Sequence, residues 1–326
     1  MKTSTDKRTR WVGELVERAD GRAVRQLFGD GRTIALPRSQ GGAVAAAPSG
    51  SIVEVRGGAD EANQPKLLAA ADSALAQMYH IAARHQLDPV FPVAVERQVA
   101  ALVAAPGLND PELIDMRAHA FVTIDGPGTR DLDQALYVAR EDGHLVVYYA
   151  LADAAWCVTP GTPLFDEALR RGATYYLPGF SVPMLPRALS EGIVSLNEKV
   201  DRRALVFRMT LDKRGVCSHT ELKRALIRSR GKLTFEQVDK HLHHPATQPF
   251  EAEVARCLQL FQQVGELRLE DAERRDVIHY RRTETEVTLD KLHGCRFVIV
   301  GGMRTMVERY NEQLSLLCNV EGAHYL

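Results

Sequence analysis

The segment Phe121–Val138, FVTIDGPGTRDLDQALYV, constrains the fold more than any other part of this chain. Two apolar stretches of strand-like composition, FVTI and ALYV, flank a loop that contains Gly126-Pro127-Gly128. Proline lacks the amide donor that a strand needs, and glycine leaves the backbone free to turn. The sequence therefore predicts a strand, a tight loop, a short extended piece and a second strand.

Three aspartates, Asp125, Asp131 and Asp133, lie in this segment. Asp131 and Asp133 are two residues apart, so an extended backbone points both side chains the same way. The glycine loop can fold Asp125 back toward them. Carboxylates held this close repel one another, and a hard dication such as Mg²⁺ would neutralise them and could activate water for phosphoryl displacement. Ordinary Asx-turn chemistry beside glycine and proline is the alternative interpretation.

The segment resembles the signature of the RNase II/RNase R family, the RNB-domain exoribonucleases, in which T-I-D, a short loop and D-x-D-D-A follow one another. The tripeptide ending at Asp125 matches the first part, and Asp131 to Ala135 matches the second. The resemblance implies that Asp125, Asp131 and Asp133 are catalytic and bind Mg²⁺, with Mn²⁺ as the alternative ion. One position departs from the pattern, because Gln134 replaces the fourth aspartate and would be a neutral, weaker metal ligand.

A proline-rich segment, residues 174–186, carries a second match to the family: Y-L-P followed by P-M-L-P. Its prolines force an irregular path with little conformational freedom. In the family the tyrosine at this place lies against RNA, and the matching residue is Tyr176. A phenol ring offers a stacking face and a hydroxyl to single-stranded RNA. Simple packing of Tyr175 and Tyr176 is the alternative.

A basic run, Arg228, Arg230 and Lys232, precedes a Leu-Thr-Phe sequence that resembles the family's L-T-Y. Phe235 stands where the family usually has tyrosine, so stacking on a base would survive and a hydroxyl contact would not. The three basic side chains could track RNA phosphates, or they could form a solvated basic face.

Near the end of the chain, EQLSLLCN resembles the family's E-E-x-M-L-L-A-N helix, which implies that Glu312 lies near the RNA channel. The stretch 283–289, where the family places an aromatic-bearing strand, has no aromatic residue, so we expect an incomplete base clamp. The family's catalytic domain continues beyond this helix with an arginine-rich segment and an RNA-binding barrel. The resemblance therefore implies a divergent, C-terminally short member, which is either a shorter relative or a piece of a longer protein.

The region before the aspartates alternates short apolar runs with turn signals such as Asp20-Gly21. It predicts about four strands over residues 11–56, a small barrel of the OB or cold-shock kind. Such barrels precede the catalytic domain in RNase II-like enzymes. Trp11 and Phe28 could stack on bases, although a core position is the favoured interpretation of each. Leu67 and Leu68 begin a series of apolar residues at helical spacing, which predicts a first helix. A second helix is predicted at 93–103.

These patterns predict an α+β protein in three parts. Residues 1–62 form the small β domain, residues 63–115 a helical linker, and residues 116–326 an RNB-like catalytic domain without its C-terminal part. The catalytic domain would be a mixed sheet with surrounding helices.

The composition indicates the cellular compartment and the kinds of partner that we expect. The net charge of −1 gives no global basic field, so any RNA path must be local. Five cysteines without a C-x-x-C pair indicate a reducing compartment and no disulfide-linked partner. No apolar run approaches the roughly 20 residues of a membrane span. The sequence thus predicts a cytoplasmic protein without a membrane partner.

The resemblance implies, as the function, hydrolysis of single-stranded RNA from its 3′ end to nucleoside 5′-monophosphates. The alternative is a degenerate RNB scaffold that binds RNA or a partner protein without turnover.

Overall fold

The computed structural model describes residues 10–36, 43–56, 65–277, 284–290, 296–302 and 304–325. Its strands are β1 (Arg10–Arg18), β2 (Gly21–Gln26), β3 (Thr33–Ala35), β4 (Ile52–Arg56), β5 (Lys66–Ala69), β6 (Ile114–Asp115), β7 (Val122–Asp125), β8 (Gln134–Glu141), β9 (His144–Ala152), β10 (Tyr175–Leu177), β11 (Phe180–Val182), β12 (Asp201–Leu211), β13 (Cys217–Arg228), β14 (Gly231–Thr234), β15 (Glu284–Asp290) and β16 (Arg296–Gly302). Its helices are α1 (Ala43–Ala46), α2 (Ala74–Arg84), α3 (Val93–Ala104), α4 (Ala154–Cys157), α5 (Pro163–Arg171), α6 (Phe235–His243), α7 (Ala252–Arg274) and α8 (Met306–Tyr325), with a π-helical segment at Ala188–Ile193.

The chain forms two compact units, each assembled from separate segments. The first contains residues 1–100, 158–186 and 284–302, and the second contains residues 101–157, 187–283 and 303–326. The sequence-based division at 62/63 and 115/116 assumed contiguous domains, and those boundaries remain a prediction.

The first unit contains a five-stranded antiparallel sheet in the order β3-β2-β1-β4-β5. The predicted Asp20-Gly21 turn joins β1 to β2, and Gly21 has a φ of +131°, which glycine adopts readily. Trp11 and Phe28 are buried, so their assignment to the core is confirmed. This β-rich region agrees with the predicted small OB-like domain.

One expectation for the first unit is wrong. Leu67 and Leu68, predicted to start a helix, lie in β5, where Leu67 pairs with Val53 of β4. Pairing with a neighbouring strand overrides the helical spacing of a short apolar run. Helix α2 starts after Ser73, whose side chain accepts a hydrogen bond from the backbone amide of Ala76. The second predicted helix is present as α3.

The second unit is built on a seven-stranded mixed sheet in the order β14-β7-β8-β9-β12-β13-β6. The outermost pairs, β14 with β7 and β13 with β6, are parallel, and the pairs between them are antiparallel. The predicted hairpin of β8 and β9 turns at Asp142-Gly143, both with positive φ. The α+β class with a mixed sheet and surrounding helices is therefore confirmed.

Alternation along β9 assigns its side chains to the two faces of this sheet. Val147 and Tyr149 belong to the core shared with helices α6, α7 and α8, whereas Val146 and Tyr148 belong to the core of the other face. No helix in the described ranges is both long enough and apolar enough to cross a bilayer. Four cysteines are free thiols, and Cys295 lies outside the described residues.

Helices α7 and α8 pack closely at Gly265. A Cβ atom at Gly265 would lie 2.3 Å from the ring of Tyr310, a separation that packed side chains do not tolerate. Gly322 of α8 offers a matched comparison, because a Cβ atom there would lie at an ordinary 3.6 Å from Phe207.

We expect Gly265→Ala to lower the free energy of unfolding by about 1–3 kcal/mol, the usual cost of overpacking. Gly322→Ala gains the same helix propensity without the clash, and it should be neutral or stabilising by up to about 1 kcal/mol. Urea unfolding of both variants measures the difference. Equal stability of the two variants would contradict the close approach of α7 and α8.

Candidate active site

The loop between β7 and β8 carries the predicted acids of the second unit. Asp125 is the last residue of β7, and one of its carboxylate oxygens accepts hydrogen bonds from the Gly126 amide at 2.8 Å and from the Thr129 hydroxyl at 2.9 Å. The turn chemistry expected of an aspartate beside glycine is therefore present at Asp125. It fixes the carboxylate at the start of the loop and leaves its exposure intermediate.

The buried side chain of Leu132 sets the direction of the other two acids, Asp131 and Asp133. Leu132 is 1% exposed, and its backbone is bound on both sides. Its amide donates to the Ser195 hydroxyl at 3.0 Å, and its carbonyl accepts from the Leu196 amide at 2.8 Å. Because neighbouring residues of an extended chain point in opposite directions, burial of Leu132 turns Asp131 and Asp133 the other way. The predicted common direction of the two carboxylates thus has a physical anchor.

Ser195 is a residue that sequence reasoning did not assign to the site. It is 1% exposed, and its hydroxyl also donates to the Arg130 carbonyl at 2.8 Å. The Ser195-Leu196 pair was part of the second family match, which was the available signal. Its partner in the loop is 63 positions away, so the contact itself could not be deduced from the sequence.

Asp133 lies in an unfavourable electrostatic environment. Burial by the surrounding protein raises the pKa of its carboxyl, a hydrogen bond donated to the carboxylate by its own backbone amide lowers this pKa, and the charges of Asp125 and Asp131 raise it. The side chain still has solvent access. The three acids are therefore close enough to affect one another. However, within the described ranges no three His, Cys, Asp or Glu side chains form a ready metal-binding group.

Gln134, the position that departs from the family pattern, takes part in a hydrogen-bond triad with Tyr149 and Ser315. Its amide oxygen accepts from the Tyr149 hydroxyl, and the Ser315 hydroxyl lies 3.5 Å from the same oxygen. The hydroxyls of Tyr149 and Ser315 are 2.7 Å apart. Tyr149 is 2% exposed, and burial is the main reason why its pKa is raised. The oxygen that would bind a metal already serves as an acceptor, so the ligand role of Gln134 stays a prediction.

Strand β14 brings part of the basic run to the acid loop. It pairs with β7 in parallel, with Thr234 opposite Asp125, and the Lys232 ammonium donates to the Thr129 carbonyl inside the loop. Phe235 follows as the first residue of α6, partly buried against the core. The other two residues of the run, Arg228 and Arg230, are bound elsewhere: Arg228 to Asp201 and Arg230 to Glu251.

Two further predicted residues lie outside this cluster. Tyr176 belongs to the first unit, in the β10–β11 hairpin, and is 72% exposed. Glu312 is an exposed residue of α8, and its carboxylate accepts from the Arg304 guanidinium at 3.0 Å. Their roles against RNA stay predictions. The structure also contains a strand that was not predicted, β16, whose Phe297 pairs with Leu289 of the strand expected to lack an aromatic residue.

Comparison with known proteins decides the family. The RNB domain matches residues 113–326, which is more than half of the chain. This chain belongs to the RNase II/RNase R family. Ribonuclease R of Vibrio cholerae is 39% identical over 160 residues, 48% of this chain and 20% of that protein. Exoribonuclease 2 of Sodalis glossinidius is 31% identical over 266 residues, 80% of this chain and 40% of that protein.

This RNB-domain chain also shares its fold with a solved structure, RNase R of Mycoplasma genitalium in complex with ribose-methylated single-stranded RNA. The TM-score is 0.70 at 23% identity, over 94% of this chain and 50% of that one. The chain thus spans half or less of the length of these relatives.

The triad around Gln134 makes a measurable prediction for the RNB domain. Tyr149→Phe removes the hydroxyl that donates to Gln134 and should lower the free energy of unfolding by about 1 kcal/mol. Ser315→Ala removes the partner of the same hydroxyl. Because the groups share one network, the double variant should deviate from additivity by about 0.5 kcal/mol or more. Additive effects in urea unfolding would mean that the triad does not act as a unit.

Proposed function

We propose that this chain acts as a hydrolytic ribonuclease on single-stranded RNA, removing nucleoside 5′-monophosphates from the 3′ end. Membership of the RNase II/RNase R family supports the reaction class. The observation within the structure that supports it most is the acid loop: Leu132 turns two carboxylates outward next to Asp125, and their charges help to raise the pKa of Asp133.

The donor chemistry of this loop fits a hard divalent cation. Asp125, Asp131 and Asp133 offer carboxylate oxygens, the ligands that Mg²⁺ and Mn²⁺ prefer, and a cation would relieve their mutual repulsion. Their side chains would have to converge on binding, since no ready group is formed in the described ranges. When bound, the ion would supply charge neutralisation and an acidified water. We therefore propose Mg²⁺ or Mn²⁺ as the cofactor.

The remaining residues would bind and orient the RNA. Lys232 lies next to the acid loop, where its ammonium can also meet a phosphate oxygen. Phe235 would offer a stacking face, and exposed Tyr176 would offer a ring and a hydroxyl to a base. Glu312, paired with Arg304, would face the RNA path as the family resemblance implies. Asp133 would orient the attacking water or a second metal ion, as its place in the family signature implies.

A second candidate function is a degenerate RNB scaffold that binds RNA or a partner without turnover. The hydrogen bonds of Gln134 favour it: a neutral amide that accepts from Tyr149 brings no charge to balance a cation. The two functions differ in a single assay. With Mg²⁺ and an RNA that has a single-stranded 3′ tail, the enzyme releases mononucleotides, whereas the scaffold binds the RNA in a salt-sensitive way and releases none.

We expect Asp133→Asn to reduce mononucleotide release by about 10³-fold, the scale for losing a group that stabilises transition-state charge. Affinity for RNA in EDTA should stay within about twofold, because the change removes no cation. Asp142→Asn is the matched control: it makes the same chemical change at an exposed turn residue whose positive φ asparagine tolerates. Undiminished cleavage by Asp133→Asn would remove Asp133 from the mechanism.

Gln134→Asp tests whether the missing charge limits the metal site. On the enzyme hypothesis the added carboxylate tightens Mg²⁺ binding by about tenfold, which corresponds to about 1.4 kcal/mol, and raises turnover. Gln134→Asn has the same size without the charge and should do neither. Calorimetric titration with Mg²⁺ and the RNA assay measure both effects. If Asp and Asn at position 134 behave alike, the departure from the family pattern does not limit the site.

A further inference from the structure

The second unit has a cavity of about 380 Å³ that the acid loop does not share. Four of its lining side chains are cationic, and its lining residues are Arg117, Lys199, Arg228, Ser229, Arg230 and Glu251. Its volume falls in the range of small-ligand sites, roughly 300–1,000 Å³.

The cavity and the acid loop lie at opposite ends of one pair of strands. Strands β7 and β14 run parallel, with Val122 opposite Gly231 at one end and Asp125 opposite Thr234 at the other. Residues 228–230 come immediately before β14, and the Arg230 amide donates to the Phe121 carbonyl at 2.7 Å, before the start of β7. Because a strand rises about 3.3 Å per residue, the two sites are about 10 Å or more apart.

Acidic side chains fix two of the guanidinium groups. Asp201 accepts from Arg228 Nε at 2.6 Å and from an Arg117 terminal nitrogen at 3.1 Å, and Asp115 accepts twice from Arg117. Among the residues that the structure describes, these contacts use only Nε of Arg228, which leaves its four terminal N–H donors for a ligand. Side chains fixed in advance lose little entropy when they bind an anion.

The guanidinium of Arg230 makes longer polar contacts than those of Arg117 and Arg228. Its contact to Glu251 is 3.5 Å long, its contact to the Ala118 carbonyl is 3.4 Å long, and its Nε is buried without a hydrogen-bond partner among the described residues. A buried donor without an acceptor is costly, and an anion in the cavity would offer oxygen acceptors nearby.

Lys199 contributes a further positive charge to the cavity, beyond those of the three arginines. No ion pair of its ammonium is recorded in the part of the chain that the structure describes, whereas the three arginines are balanced by Asp115, Asp201 and Glu251. Its backbone has a φ of +63°, unusual for lysine, and its amide donates to the Ser229 carbonyl at 2.8 Å. The local fold therefore keeps a lysine at the cavity in a conformation that glycine would adopt more easily.

We propose that this cavity is a phosphate-binding site, separate from the acid loop. Guanidinium forks and an ammonium are the groups that recognise phosphate oxygens, and here they converge from four segments of the chain. The phosphate belongs either to the RNA backbone or to a small phosphorylated molecule. In either case binding needs no divalent ion and no cleavage, so the site is independent of the proposed nuclease reaction.

Lys199→Gly is the decisive variant, because it removes the ammonium and relieves the positive φ at once. Calorimetric titration in EDTA, first with inorganic phosphate and then with a nucleoside 5′-monophosphate, should show affinity lowered by about tenfold, the loss of one charge-assisted contact. The midpoint of thermal unfolding should be unchanged or higher, which excludes misfolding as the cause.

A second pair of variants guards against a backbone effect of glycine. Lys199→Ala should weaken phosphate binding as Lys199→Gly does, whereas Lys213→Ala, at an exposed position of the same unit, should not. Asp133→Asn should bind phosphate as the native protein does, which separates this site from the acid loop. Phosphate affinity that is absent in the native protein, or equal in the Lys199 and Lys213 variants, would overturn the proposal.

The source of the phosphate is decided with a single-stranded oligoribonucleotide. If the cavity holds RNA backbone, Lys199→Gly lowers oligonucleotide affinity and reduces the slope of log K against log salt by about 0.7, the value for one contact. If only inorganic phosphate and the mononucleotide respond, the cavity takes a small phosphorylated ligand. Both results support a phosphate site and differ only in its occupant.

Discussion

The acid loop depends on one buried side chain. Leu132 occupies the core, its amide donates to the Ser195 hydroxyl and its carbonyl accepts from the Leu196 amide, so both flanking acids face outward. The arrangement opposes electrostatics, since Asp125 and Asp131 both raise the pKa of Asp133. Apolar burial of a leucine, worth about 2 kcal/mol, and two backbone hydrogen bonds offset that repulsion. These contacts fix the loop backbone at Leu132, so that the acid side chains are the part that would move to bind a cation.

The neutral side chain of Gln134 also limits the electrostatic repulsion within the acid loop. A fourth carboxylate beside Asp133 would add repulsion to a loop that already resists ionisation, whereas an amide adds none. Its oxygen instead links β8 to α8 through Tyr149 and Ser315, which ties the loop to the helical side of the core. If the acids bind a cation as proposed, the neutral amide would lower the affinity of the loop for that cation and raise the stability of the loop without it. The two proposed functions, a weakened nuclease and a binding scaffold, differ in which of these effects is larger.

The pattern of apolar and turn residues predicted those strands, turns and helices that depend on contacts between sequence neighbours. The strands on both sides of the acid loop, the Asp142-Gly143 hairpin and helix α3 were all visible in the alternation and spacing of apolar residues. Contacts between distant segments were not. No residue pattern indicated that Leu67 would pair with Val53, nor that β14 would lie beside β7 and so divide one basic run between two places. The resemblance supplied the identity of the acids, but it could not supply their hydrogen-bond partners.

That division of the basic run has an electrostatic consequence. Arg228 and Arg230 are engaged with Asp201 and Glu251 at one end of the β7–β14 pair, so they do not neutralise the acids at the other end. Lys232 is the member of the run that reaches the loop, and its ammonium donates to a backbone carbonyl there. Two of the three basic side chains are thus kept away from the acids along a single strand pair. Under the two proposals, a cation would bind at one end of the pair and an anion at the other.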